Sequence, residues 1–195
     1  MSHIKYKTPG IVIGGSNIGE ASRIFNLFTK DFGLIQVKAQ GIRELRSKLR
    51  YNAQNLFFVE AYILRGRNGW MLTEVYKKKN VTNFSNKNKT NVVIRVLLLL
   101  RRMVPAEERH EQLFDIISTG LEFLDSENLD NEEITGLETL IVLRFLRELG
   151  YVENKDFLEE FFHQNDYNRV IISKAISSKA LIIKEINLSI QASQL

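Results

Sequence analysis

Residues 56–76 read LFFVEAYILRGRNGWMLTEVY, and this stretch decides the fold of the first half of the chain. Its two outer parts, Leu56–Leu64 and Trp70–Tyr76, are rich in aromatic and β-branched residues, which favour β-strands. They flank a spacer, RGRNG, whose Asn68-Gly69 pair is a strong signal for a tight hairpin turn. The stretch therefore predicts two antiparallel strands joined by a short turn.

Three segments that precede this hairpin complete a set of five short strands. Gly10–Ile13 is apolar and runs into Gly14-Gly15, which indicates a strand followed by a turn. Leu34–Gln40 has apolar side chains at every second position, the period of a half-buried strand. Ala21–Thr29 stays open between helix and strand, because its apolar spacing fits a helix whereas its composition favours a strand. Five strands within about 70 residues predict a small antiparallel barrel of the OB type.

Charge divides the chain into a basic part and an acidic part. Residues 1–102 hold 19 Lys and Arg against 5 Asp and Glu, whereas residues 103–195 hold 8 against 18, within a net charge of +4. A cationic excess of this size is typical of proteins that bind a polyanion, most often nucleic acid, although a solvated basic surface without a partner is the alternative. The cations expected to contact nucleic acid are Lys38, Arg43, Arg46, Lys48, Arg50, Arg65 and Arg67.

A barrel that binds single strands also needs exposed aromatic side chains on which bases stack. The predicted strands offer Phe57, Phe58, Tyr62, Trp70 and Tyr76. Because most aromatic residues on strands belong to the core, we expect only one or two of them to contact a base.

The acidic part of the chain predicts helices. Apolar residues recur at helical spacing in Asn91–Met103, from Pro105 to about Leu124, from Asn131 to Gly150, in Phe157–Phe162 and in Ser178–Ser193. Polar residues 81–90 are predicted to link an N-terminal domain of residues 1–80 to a helical domain of residues 91–195. The predicted class is therefore α+β with two domains, an N-terminal five-stranded OB-like barrel followed by an all-helical C-terminal domain.

Composition excludes several kinds of site. The chain has no cysteine, so disulfides, thiolate zinc sites and cysteine nucleophiles are ruled out. Its histidines, His3, His110 and His163, are far apart and share no spacing typical of a metal site or a catalytic triad. We therefore predict no metal, no cofactor and no enzymatic activity. Because no signal peptide or membrane-spanning stretch is evident, we expect a cytoplasmic protein.

A competing pattern lies at residues 11–21, IVIGGSNIGEA, where an apolar run precedes glycines as in a dinucleotide-binding turn between strand and helix. Tyr151 and Lys155 add the Y-x-x-x-K spacing of the catalytic pair of short-chain dehydrogenases. Against this, the glycine segment is one residue short, no acid follows the next strand, and strands do not alternate with helices. A dehydrogenase-like oxidoreductase therefore remains the less favoured alternative.

Segments of the basic part also follow one another in a recognisable order: residues 19–29 (GEASRIFNLFT), 33–43 (GLIQVKAQGIR) and 47–50 (SKLR). Together with Gly66-Arg67, they resemble the N-terminal barrel of the RecO family of bacterial recombination mediators. In the acidic part, residues 143–151 (LRFLRELGY) are similar to a segment of the family's helical domain. Many members follow that segment with four zinc-binding cysteines, so the resemblance implies that this chain has lost the zinc lobe.

The resemblance implies a role in DNA repair and homologous recombination, close to the nucleoid. Members bind single-stranded DNA, anneal complementary strands and help RecR to load RecA on DNA coated by the single-strand-binding protein SSB, with RecF as a further possible partner. They also bind the acidic, apolar C-terminal tail of SSB through the helical domain. The candidates for that contact here are Arg101, Arg102, Arg144 and Arg147. A general OB protein that binds RNA or single-stranded DNA is the alternative.

Overall fold

A computed structural model of the chain describes residues 4–80, 86–153, 155–162 and 166–192. The chain forms two compact units. The barrel unit comprises the described parts of Met1–Asn83 together with Pro105–Glu111, and the helical unit comprises those of Phe84–Val104 and Gln112–Leu195. The predicted α+β class, with an OB-type barrel followed by helices, is confirmed. Within the described ranges, no helix is both long enough and apolar enough to cross a bilayer.

The barrel is a closed sheet with the strand order β1-β2-β3-β5-β4. Adjacent strands are antiparallel except β3 and β5, whose short parallel seam pairs Val37 with Trp70 and Lys38 with Met71. A single helical turn, α1, lies between β3 and β4 in the chain. The elements of this unit are β1 (Lys5–Ile18), β2 (Ser22–Thr29), β3 (Gly33–Ala39), α1 (Leu49–Asn52), β4 (Phe57–Gly66) and β5 (Gly69–Asn80).

Apolar side chains that alternate along the strands fill the barrel interior. On β3 every second residue from Gly33 to Ala39 is buried, as the sequence predicted. The segment that was open between helix and strand forms β2, and its Phe25 and Leu27 join the same core. Each such fully buried side chain stabilises the fold by about 1.5–3 kcal/mol relative to an exposed one.

The prediction of a turn at Gly14-Gly15 is wrong, because β1 continues through both glycines to Ile18. A bulge between Val12 and Gly14 shifts the register with β2. A Cβ on Gly15 would lie only 2.4 Å from the carbonyl oxygen of Ile24, so glycine here allows two strands to approach closely. The chain turns later, at Gly19, where φ is +58°.

The helical unit contains the predicted helices with corrected bounds, and its first helix already begins at Lys87, inside the predicted linker of residues 81–90. The helix expected from Pro105 begins only at Glu111, because the residues before it lie along the barrel. The helix expected over Ser178–Ser193 is preceded by a separate helix, and its apolar residue Leu181 is exposed. The helices are α2 (Lys87–Met103), α3 (Glu111–Ser126), α4 (Asn131–Glu148), α5 (Asp156–Glu159), α6 (Arg169–Ser177) and α7 (Lys179–Ala192).

The ends of α4 are fixed by its sequence. The Asp130 carboxylate accepts hydrogen bonds from the backbone N–H groups of Glu132 and Glu133, while the Glu133 carboxylate accepts one from the backbone of Asp130. This capping box satisfies N–H groups that the first turn leaves free. At the other end Gly150, with φ of +78°, follows the last turn and ends the helix, as the sequence predicted.

Candidate nucleic-acid interface

Three arginines from separate elements of the barrel unit line one open groove of about 450 Å³. Arg23 lies near the start of β2, Arg43 follows β3, and Arg50 lies in α1. The sequence predicted two of them, Arg43 and Arg50, but missed Arg23. We call this concavity the arginine groove; its other lining residues are Asn17, Phe25, Ile42, Ala53 and Gln54.

Backbone contacts hold the segment after β3 beside the β1–β2 turn. Ile42 is buried in the barrel core and anchors this segment. The backbone N–H of Arg43 donates to the Ala21 carbonyl at 2.9 Å, and its guanidinium donates to the Gly19 carbonyl at 3.1 Å. These bonds bring Arg43 to the β1–β2 turn, next to the strand that carries Arg23.

The groove is cationic without internal neutralisation. Among the described residues, none of Arg23, Arg43 and Arg50 forms an ion pair with a carboxylate. The Nε of Arg23 is buried and has no hydrogen-bond partner in the described ranges, although its NH2 group donates to the Asn55 side chain at 3.2 Å. Guanidinium groups bind phosphate oxygens in a forked geometry, so this arrangement suits a polyanion.

A second groove, of about 810 Å³, lies at the β4–β5 hairpin. It brings together Lys38 of β3 and Arg67 of the hairpin loop, both predicted from the sequence. We call it the hairpin groove; the rest of its lining is Gln40, Leu64, Gly66, Asn68, Gly69, Trp70 and Met71.

Both grooves border the end of the β2–β3 ladder. Arg23 pairs with Ala39, and the next pair in register is Ile24 with Lys38. Because side chains alternate between the two faces of a sheet, Arg23 and Lys38 lie on opposite faces at this end of the ladder. OB folds use this region, the β2–β3 face with the β1–β2 and β4–β5 loops, to bind oligonucleotides.

The remaining predicted cations of the barrel line neither groove. Arg46 and Lys48 are exposed on the segment between β3 and α1. Arg65 donates to the Glu107 carboxylate at 2.8 Å and lies over the Trp70 ring, 5.0 Å from its centroid. The guanidinium of Arg65 is therefore already paired with a carboxylate of the chain itself.

Glu107 belongs to residues 105–111, an acidic strap that packs on the barrel beside β3. The backbone N–H of Glu107 donates to the Leu34 carbonyl at 2.9 Å, and Ala106 forms a parallel bridge with Leu34. Further along the strap, Glu111 pairs with Lys30 at 3.6 Å. The strap thus covers part of β3 and neutralises two cations of the barrel.

Only part of the predicted aromatic set is accessible. Phe57, Phe58 and Trp70 are buried, whereas Tyr76 is exposed and meets the half-buried Tyr62 edge to face, with ring centroids 5.8 Å apart. The sequence interpretation missed an exposed aromatic residue, Tyr51. Its position directly after the basic segment SKLR is the signal that points to it.

The arginines of the helical unit differ in their environments. Arg101 and Arg102 are exposed in the last turn of α2. Arg144 is only 3% exposed, and its guanidinium donates to the carbonyls of Phe161 at 2.8 Å and Asp166 at 3.2 Å. Because its donors are used inside the unit, Arg144 is less suited to a docking surface than the exposed Arg101 and Arg102. Arg147 is half-buried, with its guanidinium 4.6 Å from the centroid of the Phe162 ring.

The fold does not contain the dinucleotide-binding turn of the alternative interpretation. Residues 11–21 run from β1 through a turn into another strand, β2, instead of a helix. The Lys155 ammonium, expected beside Tyr151 in a dehydrogenase, pairs with Glu185 at 2.6 Å. Across the described ranges, no cluster of three or more His, Asp or Glu side chains suits a metal ion; His3 and His163 lie outside those ranges.

Comparison with known proteins identifies relatives of the barrel. Residues 1–84 match the family described as "Recombination protein O N terminal". The DNA repair protein RecO of Thermoanaerobacter sp. is 31% identical over 133 residues, which cover 64% of this chain and 50% of the relative. RecO of Dehalococcoides mccartyi is 29% identical over 122 residues, which cover 62% of this chain and 48% of the relative. RecO of Caldanaerobacter subterraneus is 28% identical over 149 residues, covering 75% and 58%.

The chain spans about half the length of the curated relatives it matches. The family match covers the part of the chain that forms the closed barrel and carries both grooves. Residues 1–84 therefore match the RecO N-terminal family, and the chain is similar to DNA repair proteins named RecO.

Proposed function

We propose that this protein binds single-stranded DNA through the arginine groove and acts without enzymatic activity in DNA repair and homologous recombination. The observation that carries the proposal is the convergence of Arg23, Arg43 and Arg50, without carboxylate partners in the described ranges, on one groove of an OB barrel. A generic basic surface would scatter its cations or pair them, as Arg65 is paired with Glu107.

The path of the strand runs from the arginine groove across the end of β3 to the hairpin groove. Lys38 and Arg67 would then continue the line of cations after Arg23, Arg43 and Arg50. Each phosphate that is neutralised releases condensed counterions, so binding weakens as salt rises. Single strands tolerate such a path because their backbone is flexible and their bases are free to stack on side chains.

Annealing follows from the same electrostatics. Two complementary strands repel each other through their phosphates, and a cationic surface that neutralises part of one strand lowers that repulsion. Complementary bases then meet more often, although the protein makes and breaks no covalent bond. This mediator role in the cytoplasm, near the nucleoid, includes assistance to RecR in loading RecA, with RecF as a further partner.

For the SSB tail, the surface best suited to an acidic and apolar peptide is the exposed side of α2. Ile94 and Leu98 are exposed one turn apart, and Arg101 and Arg102 follow in the next turn. This spacing places an apolar stripe beside two cations that have no carboxylate partner among the described residues. Arg101 and Arg102 therefore remain the proposed tail-binding residues, and half-buried Arg147 is a secondary candidate.

The experiment that tests the mediator role is annealing of complementary oligonucleotides coated with the cognate SSB. We expect acceleration that is lost when Arg23, Arg43 and Arg50 are changed to Glu. Changing Arg101 and Arg102 to Glu should abolish acceleration on coated strands while leaving the annealing of naked strands intact.

The annealing experiment also separates the mediator from a general RNA-binding OB protein. Tight binding to naked strands without acceleration on coated ones would contradict the mediator role. Equal or higher affinity for RNA, with no effect of SSB, would identify a general single-strand binder instead.

A further inference from the structure

The segment between β3 and β4 carries two large side chains that are far more exposed than their apolar character favours. Leu45 is 87% exposed, more than any other large apolar side chain that the structure describes, and Tyr51 is 69% exposed. Single exposed apolar side chains are ordinary on protein surfaces. Two within seven residues, on the segment that forms a wall of the arginine groove, call for a specific explanation.

Leu45 is held outward by an ordered backbone. Successive turns close between Gly41 and Glu44 and between Glu44 and Ser47, each with a hydrogen bond of 3.1 Å from backbone N–H to carbonyl. Before these turns, Ile42 is anchored in the barrel core, and after them α1 begins at Leu49. The exposure of Leu45 is therefore a property of the folded segment.

The surroundings of Leu45 are strongly cationic. Glu44 and Arg46 flank it in sequence, and three further cations, Arg43, Lys48 and Arg50, lie within five residues, all of them exposed. Such a surface matches a ligand that combines negative charge with an apolar face. Nucleic acid offers both where the flat face of a base is uncovered, which in a duplex occurs only at its end.

We propose that this segment recognises the junction between double-stranded and single-stranded DNA. Leu45 packs on the face of the terminal base pair, and Tyr51 stacks on the first unpaired base while the arginine groove holds the single-stranded extension. Leucine and similar side chains are known to contact bases in this way when they insert between base steps. The inference rests on the proposed single-strand binding and adds to it a preference for the growing end of an annealed duplex.

The test is fluorescence anisotropy with three labelled DNAs of matched length: a single strand, a blunt duplex, and a duplex with a single-stranded overhang. The wild-type protein should bind the overhang duplex most tightly. Leu45→Ser should lower that affinity about tenfold, to the level of the single strand, without changing the single-strand affinity itself. Tyr51→Ala should weaken binding to both single-strand-containing probes by about tenfold.

Leu188→Ser is the matched control, because Leu188 is an exposed leucine of α7 in the helical unit. It should leave all three affinities unchanged. Both Leu45 and Tyr51 are solvent-exposed, so their substitution does not remove core packing, and an unchanged thermal unfolding midpoint verifies this.

Several outcomes would overturn the inference. Equal affinity for the single strand and the overhang duplex, or an equal loss on both in Leu45→Ser, would reject the junction preference while single-strand binding stands. Failure to bind any single strand would reject the proposed function and the inference together. If Leu45→Ser instead abolished binding to vesicles of phosphatidylglycerol and phosphatidylcholine and spared DNA, the segment would be a membrane contact.

Discussion

A charged residue in the interior of a helical unit needs internal partners, and Arg144 has them. Its guanidinium donates to two backbone carbonyls and lies 4.6 Å from the centroid of the Tyr167 ring. Arg144→Met should lower the free energy of unfolding of the helical unit by about 2–4 kcal/mol, because the buried carbonyl of Phe161 and the part-buried carbonyl of Asp166 lose their donor. Urea unfolding followed by helical circular dichroism measures this.

The control for Arg144 is Arg147→Met, in the next turn of the same helix. Arg147 is half-buried over Phe162, and methionine keeps the apolar contact. We expect Arg147→Met to lower the free energy of unfolding by less than about 1 kcal/mol. Equal losses in the two variants would show that the carbonyl contacts of Arg144 contribute little.

Tyr167 makes the stability of the helical unit decrease at alkaline pH. Burial raises the pKa of Tyr167 to about 12, and its neutral hydroxyl donates to the Ile116 carbonyl at 3.1 Å. Because the pKa in the folded state lies above the ordinary value of about 10, the stabilisation is complete below pH 10 and is lost as pH rises through 12. Tyr167→Phe should remove this part of the alkaline loss, which urea midpoints measured across that range would detect.

Substitution of two glycines with similar backbone angles distinguishes the conformational strain of an added Cβ from its steric clash with neighbouring atoms. Gly19 and Gly33 have φ of +58° and +65°, but a Cβ on Gly33 would lie 1.7 Å from the Glu108 carbonyl oxygen, whereas on Gly19 it would meet nothing within 4 Å. Gly19→Ala should cost about 1 kcal/mol. Gly33→Ala should lower the free energy of unfolding several times more, since the strap must move. Equal shifts of the thermal unfolding midpoint in the two variants would contradict this.

At the scale of elements, the acidic strap limits how much of the barrel is open to nucleic acid. The Glu107 carboxylate of the strap forms an ion pair with Arg65, which lies two residues before Arg67 of the hairpin groove. Glu107→Gln should free Arg65 and raise affinity for single strands. The slope of log affinity against log salt should become steeper by about 0.7, the value for one added phosphate contact.

Glu108→Gln removes the same charge one residue further along the strap. Glu108 lies 3.8 Å from His110 and forms no ion pair with Arg65 among the described contacts. It should leave the salt slope unchanged. A Glu107 variant that behaved like this control would contradict the competition between strap and strand.

The elements also show which local signals are reliable. Alternation predicted β3 correctly because one of its faces is buried along its whole length. The helix expected at Pro105 does not form there, although proline followed by acids is typical of a helix start. Hydrogen bonding of the strap to Leu34 and the positive φ of Glu107, +60°, replace that local preference with a tertiary contact that the sequence does not reveal.

At the scale of the whole molecule, the division of charge predicted a cationic barrel but not how its cations are distributed. Lys38 and Arg43 are close in sequence but line different grooves. Arg43 and Arg50 lie with Arg23 in the arginine groove, whereas Lys38 lies with Arg67 in the hairpin groove. Arg23 escaped notice because its segment was open between helix and strand, which leaves the direction of its side chain undetermined. Closure of the barrel brings these distant residues together, and spacing along the chain does not predict it.

The central claim is that the arginine groove, rather than the general basicity of the barrel, binds single-stranded DNA. The most direct test is the salt dependence of binding to a labelled single strand for two variants that each remove three positive charges. One changes Arg23, Arg43 and Arg50 to Gln. The other changes Lys5, Lys7 and Lys78 to Gln, lysines that already pair with Glu60 or Glu74.

The arginine variant should lose at least about tenfold in affinity, and its salt slope should become shallower by about 2, corresponding to three lost phosphate contacts. The lysine variant should stay close to the wild type in both quantities. Equal losses in the two variants would contradict the account, because binding would then follow net charge and not the groove.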